Sequence, residues 1–191
     1  MRLSLAAGLM AIAMAGATTA SATEVLGVGT PSAEQFRAKA TSSDAFEITS
    51  SKIALTHATN ADVKDFATMM IRDHTATTDK LVAIGGIKKA SLESKMEPGK
   101  DGKYADNDLL SSSQAAELNS LNSKSNADFD KTYMDDQVQG HKDAVALMED
   151  YAKNGDNAKL KAFAAEVLPT IKEHLAAAQK LDAAVDNKKT M

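Results

Sequence analysis

Three histidines, His74, His141 and His174, and one acid, Glu47, fall on the inward stripes of four helix-length segments. Imidazoles and carboxylates projecting from facing helices are how metal sites are built into helical bundles, and iron, copper and zinc all accept such donors. Asp73 and Glu173 precede two of these histidines, in the twin strings "MIRDH" and "TIKEH". Each sits about 100° round the helix from its neighbour, where it can steady an imidazole from outside the ligand set or pair with nearby Lys and Arg. Carboxylate-bridged di-iron bundles use Glu-x-x-His on two helices, and here those Glu positions are Ile71 and Ile171. The competing reading of each histidine is a polar side chain buried in an Ala-rich interface and hydrogen-bonded to the next helix. Three histidines on three stripes, with Glu47 on a fourth, carry the metal reading further than one would. Met70 and Met148 share these faces and read as core filler. The fourth histidine, His57, lies beside a turn. No Gly-rich phosphate loop, Ser-x-x-Lys or Gly-x-Ser-x-Gly occurs, and no residue is assigned a catalytic role.

The elements that must position these groups are helices. A first helix begins near Pro31-Ser32 and runs to about His57, with Phe36, Ala40, Glu47, Ala54 and Ala58 in one sector. "HATNAD" breaks it, and Asn60 suits the N-cap of a second helix from Ala61 to Ile84 that Gly85-Gly86 stops. Lys88 to about Leu110 mixes charges, Pro and Gly and reads as an exposed loop, followed by a short helix in "SSSQAAELNSLNSKS". A third long helix is expected over 127–153 and a fourth over 158–185, with Gly155 between them and a kink or restart at Pro169. Short breaks within each pair and a crossover at about 86–125 predict an all-α, ferritin-like four-helix bundle over 33–185, two antiparallel hairpins followed by a tail at 186–191. Counted from the turns, Glu47 and His74 lie at similar heights, whereas His141 and His174 are offset by about one helical turn, ~5 Å. The shared Lys-x-Phe-Ala and I-[RK]-[DE]-H strings, with Phe46-Glu47 and Phe129-Asp130 before them, suggest a duplicated helix hairpin.

Bulk composition narrows the function classes. Apolar residues make up 43% of 191 residues but aromatics only 4%, so alanine must do much of the packing, which suits close helices. A net charge of −4, with no concentrated basic patch, argues against nucleic acid as a partner. With no cysteine, thiolate ligands and disulfides are excluded. The first residues carry Arg2, an apolar run from Leu3 to about Ala17 and then Ala20-Ser21-Ala22, the pattern of a cleaved secretory signal. The run is shorter than the ~20 apolar residues that span a bilayer. Signal 1–22, leader 23–32 and a periplasmic mature chain without a transmembrane segment are therefore expected.

From Ala33 to Leu181 the chain resembles the exported bacterial domain-of-unknown-function family 4142. The resemblance rests on Met70-x-x-Asp73-His74, Phe129-Asp130-x-x-Tyr133, Gly140-His141, and Leu168-Pro169 followed by Glu173-His174-Leu175. Glu47 also falls on the family's acid of the first helix. The resemblance implies a ferritin-like fold and export, and supplies no reaction. Two functions follow as expectations: a periplasmic binding or stress-related protein, or a metal protein using Glu47, His74, His141 and His174 for iron, copper or zinc. The crossover is the candidate surface for a protein partner, and self-association is left open.

Overall fold

A computed structural model describes residues 29–189, the side chains of 187–189 excepted. The signal segment 1–22 and the leader up to residue 28 lie outside the described residues. All regular structure among the described residues is helical: α1 (Ala33–His57), α2 (Ala61–Ile84), α3 (Lys89–Lys95), α4 (Ser112–Asn122), α5 (Asn126–Asn154) and α6 (Ala158–Lys189). No helix among them is long and apolar enough to cross a membrane.

Local chemistry sets the ends. Ser32 and Gln35 form a reciprocal capping box at α1, as Ser111 and Gln114 do at α4. Asn60 Oδ1 accepts from the Asp62 amide at the start of α2. Asp130 of α5 closes the α1–α2 turn from outside: its carboxylate accepts from the Thr59 amide (3.1 Å), the Thr59 hydroxyl (2.8 Å) and the Asn60 amide (3.0 Å). Gly85 and Gly86 stop α2 at φ of 104° and 88°, conformations that residues with a Cβ rarely adopt. Pro169 lies inside α6, which continues as helix from Ala158 to Lys189, so no restart occurs there. The crossover departs from the expected open loop. Within it α3 forms, and Leu92, Met96, Leu109 and Leu110 are buried in the core, because these few apolar side chains fold the polar segment down onto the long helices.

The long helices pack as α1 on α2 and α5 on α6, with α1 also against α5 and α2 against α6. Their apolar side chains form two clusters. One gathers Val63, Phe66, Met70, Phe129, Tyr133 and Ala178 near the α1–α2 turn. The other gathers Phe36, Leu81, Met148, Tyr151, Leu160 and Ile171, near the α5–α6 turn. Each long helix changes from one cluster to the other across a polar interruption. On α1 this is Asp44 and Glu47, on α2 His74, Thr77 and Thr78, on α5 Gln137 and His141, and on α6 His174, all buried. A polar layer thus lies across the middle of the core.

Candidate metal centre

Within this layer each of three imidazoles is pinned by one nitrogen. His74 Nδ1–H donates to Asp44 Oδ1 at 2.8 Å, His141 Nδ1–H to the Gln137 carbonyl at 2.8 Å, and His174 Nε2–H to Asp73 Oδ2 at 3.0 Å. Carboxylates and carbonyls only accept, so these partners place the anchoring proton on the named nitrogen. The other nitrogens, His74 Nε2, His141 Nε2 and His174 Nδ1, are buried without a hydrogen-bond partner. One ligand nitrogen from each ring lies within 4.8 Å of the other two, and the ring centres are 5.4–5.6 Å apart.

The anchors are themselves held. Asp44 Oδ2 accepts from the hydroxyls of Thr77 (2.9 Å) and Thr78 (3.0 Å), one turn on from His74. Asp73 is gripped by Arg72 through Nε (2.7 Å) and Nη2 (2.9 Å). Those hydrogen bonds, foremost, hold its carboxyl below the usual range. Burial, and next the charge of His74, pull His141 and His174 down to about 4, so both are neutral at pH 7. Burial also opposes charge on His74, but the Asp44 hydrogen bond and charge, with Glu47 and Asp73, outweigh it and raise its pKa. A proton in this trio therefore settles on His74.

Glu47 lies beside the trio. Its Oε2 accepts from Gln137 Nε2 at 2.6 Å, and its Oε1 is 4.0 Å from the anchored Nδ1 of His141. Burial pushes its pKa up to about 7, against the charge of His74 and the Gln137 hydrogen bond. Gly140 makes room for it, since a Cβ there would stand 3.0 Å from Oε1. Asp73 pairs with a histidine, but with His174 across the α2–α6 contact rather than with its neighbour His74. Glu173 is exposed. His57 stands apart from the layer, its Nδ1 bonded to the Lys124 carbonyl at 2.8 Å.

The expected one-turn offset between His141 and His174 does not separate them, their ring centres being 5.4 Å apart. His141 lies 13 residues before the end of α5 and His174 16 residues after the start of α6, a height difference of about 4.5 Å. Side chains lean toward their own helix N-terminus. His174 therefore leans toward the turn and His141 away from it, which closes the gap. Asp44 was not among the expected site residues. Its signal was present, for it falls between Ala40 and Glu47 on the stripe already drawn for α1.

The arrangement is that of an all-helical protein whose buried polar layer gathers three anchored histidines. The chain belongs to the family described as Domain of unknown function (DUF4142), which matches residues 15–181. Neither a curated protein nor a solved structure matches the chain.

Proposed function

We propose that the protein binds a transition-metal ion through His74 Nε2, His141 Nε2 and His174 Nδ1. The observation that carries this reading is the trio of buried nitrogens left over after each ring is anchored. A buried polar atom without a partner costs about 1–3 kcal/mol, so three of them weigh heavily against a total stability of about 5–15 kcal/mol. Metal-ligating histidines almost always donate the second ring N–H to a carboxylate or carbonyl, and all three rings do so. Three nitrogens no more than 4.8 Å apart can all lie within about 2.8 Å of one point. Coordination at about 2.0–2.1 Å then needs each to move inward by no more than about 0.7 Å. Three imidazoles suit copper, zinc and iron, and by the usual affinity order Cu(II) binds most tightly, then Zn(II), then Fe(II). Binding displaces the proton that favours His74.

Titration of metal-free protein, purified without a histidine tag, with each ion tests this reading. One saturable equivalent per chain, lost in both His74→Ala and His141→Ala, is the expected result. A wild-type chain with no saturable binding of any of the three ions ends it.

The fold and location go with this reading. We propose a ferritin-like four-helix bundle of α1, α2, α5 and α6 in which Pro169 kinks α6 by depriving the Ala165 carbonyl of its intrahelical partner. The chain is exported to the periplasm after cleavage following Ala22, and N-terminal sequencing of periplasmic protein checks this. A mature chain that keeps Arg2 refutes it.

A further inference from the structure

A cleft of about 540 Å³ opens on the face formed by α1, α4 and α5. Four carboxylates line it, Glu47, Glu117, Asp136 and Asp143, against one cation, Lys39. Asp143 is engaged by Gln139 at 3.1 Å. Among the described residues, none donates a side-chain hydrogen bond to Glu117 or Asp136. Burial first, and then the charges of Glu117, Asp135 and Glu47, push Asp136 up to about 7.

A second observation points to a ligand. Glu47 closes the inner end of the cleft with its side chain only 3% exposed. Its Oε2 is tied to Gln137, while its Oε1 accepts from no donor among the described residues. The nearest imidazole nitrogen, His141 Nδ1 at 4.0 Å, gives its proton to the Gln137 carbonyl instead. Gly140, also on the cleft wall, leaves that oxygen uncovered. One carboxylate therefore touches both the cleft and the edge of the histidine trio.

We propose that this cleft is an access vestibule for hydrated divalent cations, with Glu47 as the inner carboxylate that passes the ion to the three histidines. The proposal rests on the metal-centre reading above. An ion with six waters occupies about 180 Å³, which the cleft holds with room to spare. Its water shell donates hydrogen bonds, so carboxylates too far apart to ligate one bare ion together can still share a hydrated one. A cleft lined by one sign of charge concentrates counter-ions and accelerates their arrival by about 10–10³-fold, an effect that salt removes.

The test is stopped-flow association of Zn(II) with the full mature chain at low salt, together with the equilibrium affinity. Glu117→Gln/Asp136→Asn should slow association about tenfold and leave the equilibrium affinity within about twofold, because exit slows equally. At high salt its rate should approach that of wild type. Glu97→Gln/Glu166→Gln, which neutralises two carboxylates on other faces, should have little effect on the rate. Unchanged association in the cleft variant, or an equal slowing in the control, overturns the vestibule while leaving the histidine centre intact. Wild-type protein that takes up no Zn(II) overturns both.

Discussion

Replacing Asp44 by Asn should weaken the metal centre without dismantling the fold. Asp44 receives three donors, His74 Nδ1 on one oxygen and the Thr77 and Thr78 hydroxyls on the other. Asparagine keeps the shape. Its carbonyl can still accept from His74, and the two hydroxyls can turn to accept from its amide. The negative charge behind the imidazole is what disappears. Loss of such an outer partner typically lowers metal affinity about 10–100-fold, or roughly 1.4–2.7 kcal/mol. The pH dependence supplies a second signature. Asp44 is the chief group that raises the pKa of His74, so the variant's His74 holds its proton less firmly. The acid limb of Zn(II) binding should therefore move to lower pH while the plateau affinity falls. Competition titrations against a chelator from pH 5 to 8 measure both effects, and circular dichroism verifies folding. Thr78→Val, which removes one donor to Asp44 and no charge, should change affinity by less than about threefold. A folded Asp44→Asn protein with wild-type Zn(II) affinity would refute the assignment of His74 as an anchored ligand.

Three further outcomes are expected. His141 and His174 titrate near 4 in the fold but near 6.5 unfolded, so they add stability at neutral pH that is lost as pH falls from about 6.5 toward 4. Glu47 and Asp136, raised from 4.5 and 3.8 to about 7, act oppositely and stabilise the fold less as pH rises through about 4–7. These four nearly offset in metal-free wild type. Glu47→Gln removes one counterweight, so its urea-unfolding free energy should rise with pH relative to wild type by about 1 kcal/mol per unit between pH 5 and 6.5; equal slopes would contradict the burial argument. Gly140→Ala should fail to gain the roughly 1 kcal/mol that alanine usually brings to a helix, since its Cβ meets Glu47 Oε1 at 3.0 Å, and thermal unfolding measures this. Asp130→Ala strips three hydrogen bonds from the α1–α2 turn and should cost at least about 2 kcal/mol in chemical denaturation, while Zn(II) stoichiometry remains that of wild type.

Helix existence was legible because periodicity and stop signals agreed. The α2 boundaries follow from Asn60 at one end and Gly85-Gly86 at the other. The burial of the crossover was not legible: Leu92, Met96 and Leu109-Leu110 are too few and too widely spaced within polar sequence to form a stripe. The matching strings were visible, but the two members of each match are used differently. Glu47 of Phe46-Glu47 reaches the polar layer, whereas Asp130 of Phe129-Asp130 caps a turn. Asp73 likewise serves a histidine on the other hairpin. A one-dimensional pattern fixes which face a side chain occupies, and the choice of partner across that face depends on helix register and on the lean of each Cα–Cβ bond.

The distribution of satisfied and unsatisfied groups favours the proposed metal centre over a merely polar seam. A seam kept for packing specificity should pair its members throughout, because in a low-dielectric interior every unpaired member is a loss. Here the outer groups are paired: Asp44 with three donors, Glu47 with Gln137, and Asp73 with Arg72 and His174. Six buried side-chain atoms among the described residues have no partner, and four of them belong to His74, His141, His174 and Gln137. The deficit is concentrated at the centre of the layer, on the imidazole nitrogens turned away from their anchoring groups and on the Gln137 amide oxygen. Once the proton that favours His74 is displaced, one ion meets three nitrogen lone pairs at once. The proposed metal binding thus accounts for both the anchoring of the outward nitrogens and the isolation of the inward ones.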